Sequence, residues 1–228
     1  LRQRRGYPGA HHGRHLGRAG LTVRLSQIDE SNLADHARLR ADDTCYHLYE
    51  YTSGRNYAFS QTNSRIINLK KKPSSSSQTE LAYKNGAIAS CATALRDALN
   101  PAWLDTATLI PVPGSKARTH PDVDDRMTKV CRGIRPGLDV RELVLQRDSV
   151  ATAHETMAGE ERVSVQDLLD VYEIQENLTL PTPTSIGIVD DVLTAGTHYR
   201  AMHTVLSQRF PLAKIIGLFI ARRVFPPE

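Results

Sequence analysis

The stretch from Ser185 to His198 constrains the fold more than any other part of the chain. Ile186 to Val189 form a short, β-branched apolar run of the kind a strand buried on both faces requires. The run ends in two adjacent carboxylates, Asp190 and Asp191, and then in small residues. Beyond them Ala201, Met202, Val205, Leu206 and Phe210 recur with helical spacing, so Thr194 to His198 sit where a helix begins.

A helix start presents unpaired backbone N–H groups and the positive end of the macrodipole, which favours a phosphate, and Gly196 lets the backbone approach it. Carboxylates just upstream suit ribose hydroxyls. The segment Ile188 to Thr197 resembles the phosphoribosyl pyrophosphate signature of type I phosphoribosyltransferases: two hydrophobics, two acids, two hydrophobics and a Thr-x-Gly loop. The resemblance implies that Asp190 and Asp191 bind the 2′ and 3′ hydroxyls of the ribose. It implies equally that Thr194, Ala195, Gly196, Thr197 and His198 wrap the 5′-phosphate. Family members usually close this loop with a threonine; His198 stands there here, and a histidine donates to phosphate more strongly when protonated. The plainer alternative is an ordinary strand-to-helix junction with solvated acids and Thr194 as a cap. Neither a Gly-x-Gly-x-x-Gly fingerprint nor a Walker-type loop occurs, which argues against dinucleotide and P-loop readings.

A second loop extends the resemblance. Ile88, Cys91, Ala92, Leu95, Ala98 and Leu99 mark one helix face, ended by Asn100 and Pro101, and the apolar run Thr108 to Val112 follows as a buried strand. Pro113, Gly114, Ser115, Lys116 and Arg118 come directly after it. This stretch resembles the Pro-Val-Pro-containing loop of the ComF-like branch, which implies pyrophosphate binding through backbone amides, Lys116 and Arg118. That branch carries an Arg-Gly-Phe-Asn stretch nearby, and this chain has Asp125-Arg126-Met127 instead, so the closeness is partial.

Elsewhere the pattern is coarser. Thr44 to Leu69 reads as strands broken by turns, a small antiparallel layer or variable hood; Lys70 to Ser77 reads as a solvated loop. Met127, Val130, Cys131 and Ile134 mark a helix, and Val140 to Leu145 a strand. The polar stretch Gln146 to Arg162 is the natural lid, with Arg147, His154, Glu161 and Arg162 as its polar members. Ser164 to Asp167 is a capping box opening a helix, and Ile215 to Ala221 is a further strand. The alternation predicts an α/β fold: a mostly parallel, doubly wound sheet whose ligand lies at the carboxyl ends of the strands.

The formal charge of +4 is unevenly placed, since residues 1–28 carry six arginines and no acid, leaving the remainder at −2. With interspersed glycines and with His11, His12 and His15, residues 1–28 read as a disordered basic arm or leader. Residues 29–228 then form the phosphoribosyltransferase-like domain, with its core at about 80–222. Cys45, Cys91 and Cys131, odd in number and widely spaced, read as reduced core residues. No apolar run reaches the roughly 18 residues that cross a bilayer, and the expected location is cytoplasmic.

The resemblance implies transfer of phosphoribose from phosphoribosyl pyrophosphate to a nitrogen acceptor with release of pyrophosphate. Magnesium would be bound mainly through the substrate, with no dedicated protein metal site. The acceptor is not identified by the sequence. Other expected partners are a second copy in a homodimer and, through the basic arm, nucleic acid, with no membrane association. The alternative class is a non-catalytic sensor or nucleic-acid-binding regulator built on the same fold.

Overall fold

In the computed structural model, residues 23–116, 120, 122–148 and 163–226 are described. Their elements run in the order β1 (Ser26–Gln27), β2 (Cys45–Thr52), α1 (Gln61–Leu69), α2 (Gln78–Ala98), α3 (Pro101–Leu104), β3 (Thr108–Pro111) and α4 (Arg126–Ile134). They continue with β4 (Asp139–Val140), β5 (Val144–Gln146), α5 (Val165–Val171), β6 (Tyr172–Ile174), β7 (Ser185–Leu193), α6 (Thr197–Arg209) and β8 (Lys214–Val224).

Among the described residues six strands form one sheet in the order β1-β2-β8-β7-β3-β4, all parallel except β1, which runs antiparallel to β2. Strand β7 lies centrally, between β8 and β3, and its apolar run is covered on both faces. Ile186 and Ile188 belong to one core with Tyr199, Met202 and Leu206 of α6 and Leu168 of α5. Val189 belongs to the other, with Ile66 and Leu69 of α1, Cys91 and Leu95 of α2, and Val130 and Ile134 of α4. The architecture is therefore a three-layer α/β fold, the arrangement a sheet with two apolar faces demands. A separate antiparallel pair, β5 with β6, lies outside the main sheet.

Three sequence expectations need correction. The antiparallel layer expected over Thr44 to Leu69 does not form, because β2 joins the main sheet parallel to β8 and residues 61–69 are helical. Ser60 caps that helix by accepting the Asn63 N–H at 3.0 Å. Asn63, Ile66 and Leu69 are buried at three-residue spacing, a helix face that the β-branched Ile66 and Ile67 disguised as a strand. The serines after Lys72 are not all loop either. Ser77 and Glu80 form a capping box that starts α2 ten residues earlier than the apolar face suggested. The single strand expected over Val140 to Leu145 is split between β4 and β5, which pair in different sheets. Gln146 to Asp148 of the expected lid are described, and the rest of it, residues 149–162, lies outside the described residues.

Candidate functional site

Strands β3 and β7 are neighbours, with Ile110 opposite Ile188 and Pro111 opposite Val189. From β3 the chain passes through α4 to β4 on one side; from β7 it passes through α6 to β8 on the other. Connections that diverge in this way open a crevice at the strands' carboxyl ends, the usual ligand position in such sheets. The Val112 N–H still bonds the Val189 carbonyl at 2.9 Å, so the loops beginning at Pro113 and Asp190 start side by side.

Successive residues of a strand face opposite sides, and the two carboxylates part company on that account. Asp191 shares the face of Val189 and is 3% exposed. Its Oδ2 accepts Nε and a terminal N–H of Arg126 at 3.0 and 2.7 Å, and its Oδ1 lies 3.1 Å from Lys70 Nζ. Burial works to raise its pKa, but Lys70 and Arg126 outweigh burial and hold the carboxyl well below the usual range. The chain of charges continues inward. Arg126 also donates to Asp124 at 2.8 Å, and Asp124 accepts Lys84 Nζ at 2.6 Å. Buried Lys84 donates further to the Leu69 and Lys71 carbonyls at 3.0 and 2.7 Å, tying α1, α2 and α4 to β7.

Asp190 faces the other way, toward the start of α6, and is half-buried. Its Oδ1 accepts the Asp191 N–H at 2.7 Å. Burial, and then the negative charge of Asp191, hold it above the ordinary carboxylate range. Thus the structure brings Asp190, and not Asp191, to the β7–α6 loop.

Thr194, Ala195 and Gly196 link β7 to α6, whose first residues are Thr197 and His198. Gly196 is left-handed at φ 87°, and a Cβ there would stand 3.0 Å from the Leu39 side chain, so glycine is required on both counts. Asp190, Thr194, Gly196, Thr197 and His198 line a cavity of about 20 Å³. The His198 Nδ1 lies 2.9 Å from the Tyr172 hydroxyl. Burial lowers the imidazole to about 4, so without a bound anion His198 is a neutral side chain near pH 7. In the tautomer that lets the phenol donate to Nδ1, the proton is on Nε2.

Across the crevice, Pro113, Gly114, Ser115 and Lys116 run against the start of α4. A Cβ on Gly114 would come 3.1 Å from the Asp124 carbonyl, and the Ser115 carbonyl accepts Gln146 Nε2 at 2.7 Å, tying the loop to β5. Arg118 lies outside the described residues. A larger cleft of about 340 Å³ flanks this loop, with Pro113, Met127, Thr128, Glu142 and Gln146 on its walls. It lies on the α4 side, not at the β7–α6 loop.

Sequence reasoning missed the partners of these groups. Lys70 reads as part of a solvated loop and Arg126 only as a departure from the ComF-like stretch; its partner Asp191 is 65 residues away, and no local pattern announces the pair. His36 carries no local signal, and Tyr172 reads as the end of the helix opened by the Ser164 capping box, whereas it begins β6. No family model matches the chain, and no curated protein matches it.

Proposed function

We propose that the protein is a phosphoribosyltransferase of the type I kind, which takes phosphoribosyl pyrophosphate and transfers its phosphoribose to a nitrogen acceptor. What carries the reading is one convergence. Asp190 and the start of α6 lie at the end of β7, and the Pro113 to Lys116 loop follows the adjacent strand β3, so both stand at the carboxyl ends where the connections diverge. The order of β3, β4, β7 and β8 is compatible with a doubly wound sheet of that family.

In this reading the Thr194 to His198 loop receives the 5′-phosphate through backbone N–H groups and the neutral Nε2–H of His198. Asp190 accepts a hydrogen bond from a ribose hydroxyl, and Asp191 supports it indirectly by anchoring the strand end to Arg126 and Lys70. The Pro113 to Lys116 loop, with Arg118, receives the diphosphate. The nitrogen lone pair forms the new bond to the anomeric carbon as the bond to the diphosphate oxygen breaks, and that electron pair leaves with pyrophosphate. Holding both ends of the substrate fixes the attack geometry, and a carboxylate near the ring favours the developing positive charge.

A magnesium ion carried by the diphosphate would neutralise its charge, and Asp190 is the carboxylate that faces the β7–α6 loop. The experiment is thermal unfolding with phosphoribosyl pyrophosphate and magnesium, on the wild type and on Asp190→Asn. A magnesium-dependent rise in the midpoint that the variant loses supports the assignment; no rise at millimolar ligand overturns it.

Among the described residues no helix is long and apolar enough to cross a membrane.

A further inference from the structure

Between β1 and β2, residues 28–44 pass behind the β7–α6 loop and hold its backbone. His36 is completely buried, and its Nδ1 lies 2.5 Å from the Thr194 carbonyl oxygen. Two residues on, the Arg38 N–H donates to the Ala195 carbonyl at 2.8 Å. Leu39 packs on Gly196, and from α6 the Arg200 side chain closes the contact, donating to the Arg38 carbonyl at 3.1 Å and pairing with Asp43. In a trans peptide the carbonyl of one residue and the N–H of the next point in opposite directions. Pinning the Thr194 and Ala195 carbonyls to this strap therefore turns the Ala195 and Gly196 N–H groups away from it. Among the described residues, neither of those N–H groups has a hydrogen-bond acceptor. Two oriented donors stand beside the first turn of α6, whose N–H groups have no intrahelical acceptors, and donors grouped in this way suit an anion.

We propose that His36 is a positioning residue: by holding the Thr194 carbonyl it sets the Ala195 and Gly196 N–H groups for a phosphate monoester, and its protonation releases them. The phosphate's identity as the 5′-phosphate rests on the function proposed above; the orientation of the loop does not.

The pH sensitivity follows from the far side of the ring. With Nδ1–H donating to Thr194, Nε2 is buried without a partner, so a second proton would have no acceptor. The charged and titratable groups facing His36 are Asp35 on the strap, Arg222 and Arg223 on β8, and His47 on β2. Burial lowers its pKa from the ordinary 6.5; the Thr194 carbonyl and Asp35 oppose, and the two arginines act with burial. A strap that has come away takes up the proton near the ordinary value, whereas the docked strap does not. Docking is therefore intact above about pH 6.5 and weakens as pH falls below it.

The test uses the full chain as wild type, His36→Asn, which keeps a donor near the Nδ1 position and cannot titrate in this range, and His36→Leu, which fills the space and donates nothing. Ribose 5-phosphate is titrated calorimetrically into each at about pH 8 and about pH 5.5, and hydrogen exchange of residues 193–199 is followed without ligand. The expected result at the higher pH is binding weakened about five- to tenfold in His36→Leu, one neutral hydrogen bond's worth, and within about threefold of wild type in His36→Asn. Loop exchange quickens in His36→Leu alone. Between the two pH values wild type loses more affinity than His36→Asn, the ligand's own titration and that of His198 being common to both. His36→Leu that binds like wild type with unchanged loop exchange overturns the proposal, even if its melting point falls. Equal pH dependence in wild type and His36→Asn overturns the protonation step. If no protein binds ribose 5-phosphate while the loop still loosens in His36→Leu, the phosphoribosyl reading fails and the positioning role stands.

Discussion

Replacing Arg126 by methionine tests the ionic chain beneath the crevice. Methionine keeps much of the side-chain volume, so the change removes chiefly charge and hydrogen bonds. In the wild type Asp191 Oδ2 accepts two N–H groups from Arg126, and only the half-exposed Lys70 remains on Oδ1. Two charge-assisted hydrogen bonds contribute about 1.5–3 kcal/mol each, and part is regained as Asp191 recruits Lys70 or takes up a proton. Asp124 retains Lys84, so the loss centres on Asp191. A net cost of about 3 kcal/mol follows, at the low end of the roughly 3–5 kcal/mol seen when one partner of a buried pair is removed. For a chain of this length it lowers the melting midpoint by about 6–12 °C. The assay is urea unfolding from about pH 7 down to about pH 2. Because Asp191 is depressed in the folded state, its stabilisation is present above the ordinary carboxylate value of 3.8 and is lost as pH falls through the lowered one. Arg126→Met should thus cost most near neutrality and progressively less in acid. Arg126→Met/Asp191→Leu should recover part of the loss, since a buried pair exchanged for apolar groups is often close to neutral. A single-variant cost below about 1 kcal/mol, unchanging with pH, would refute this account of the pair.

The other predictions concern the loops, the histidine and the thiols. Gly196→Ala meets both a left-handed backbone and Leu39, and should cost about 1–3 kcal/mol in urea unfolding while loosening the strap, read as faster exchange at residues 193–199. His198, lowered to about 4, should show an NMR titration midpoint far below that of a free histidine. Its depressed value makes stability fall as pH drops from about 6.5 toward it, and a midpoint near 6.5 would contradict the burial argument. Cys45, Cys91 and Cys131 are buried with thiols pushed up to about 12, so an aromatic disulfide reagent should label none of them at about pH 8 until denaturant is added.

The parts of this fold legible in the sequence are those whose signals are local. The run Ile186 to Val189, the glycine before α6 and the Ser164 capping box each announce their element within a few residues, and β7, α6 and α5 stand where those patterns put them. Residues 44–69 misled because β-branching in Ile66 and Ile67 outweighed a three-residue burial spacing, and because nothing local tells a strand that its partner is β8, over 160 residues on. The site divides in the same way. The loop at Thr194 to His198 and the acids before it were visible as a string, but their division between two faces becomes decisive only when Lys70 and Arg126 are found on one of them. His36 was invisible because its function depends on a carbonyl 158 residues away.

The most direct test of the central claim is calorimetric titration of phosphoribosyl pyrophosphate with magnesium into the wild type, Asp190→Asn and Asp191→Asn. The account predicts one saturable site that needs magnesium. Asp190→Asn should weaken it at an almost unchanged melting point, and Asp191→Asn should weaken it together with a clear loss of stability. No saturable heat at millimolar ligand in the folded wild type, or equal binding by wild type and Asp190→Asn, would contradict it.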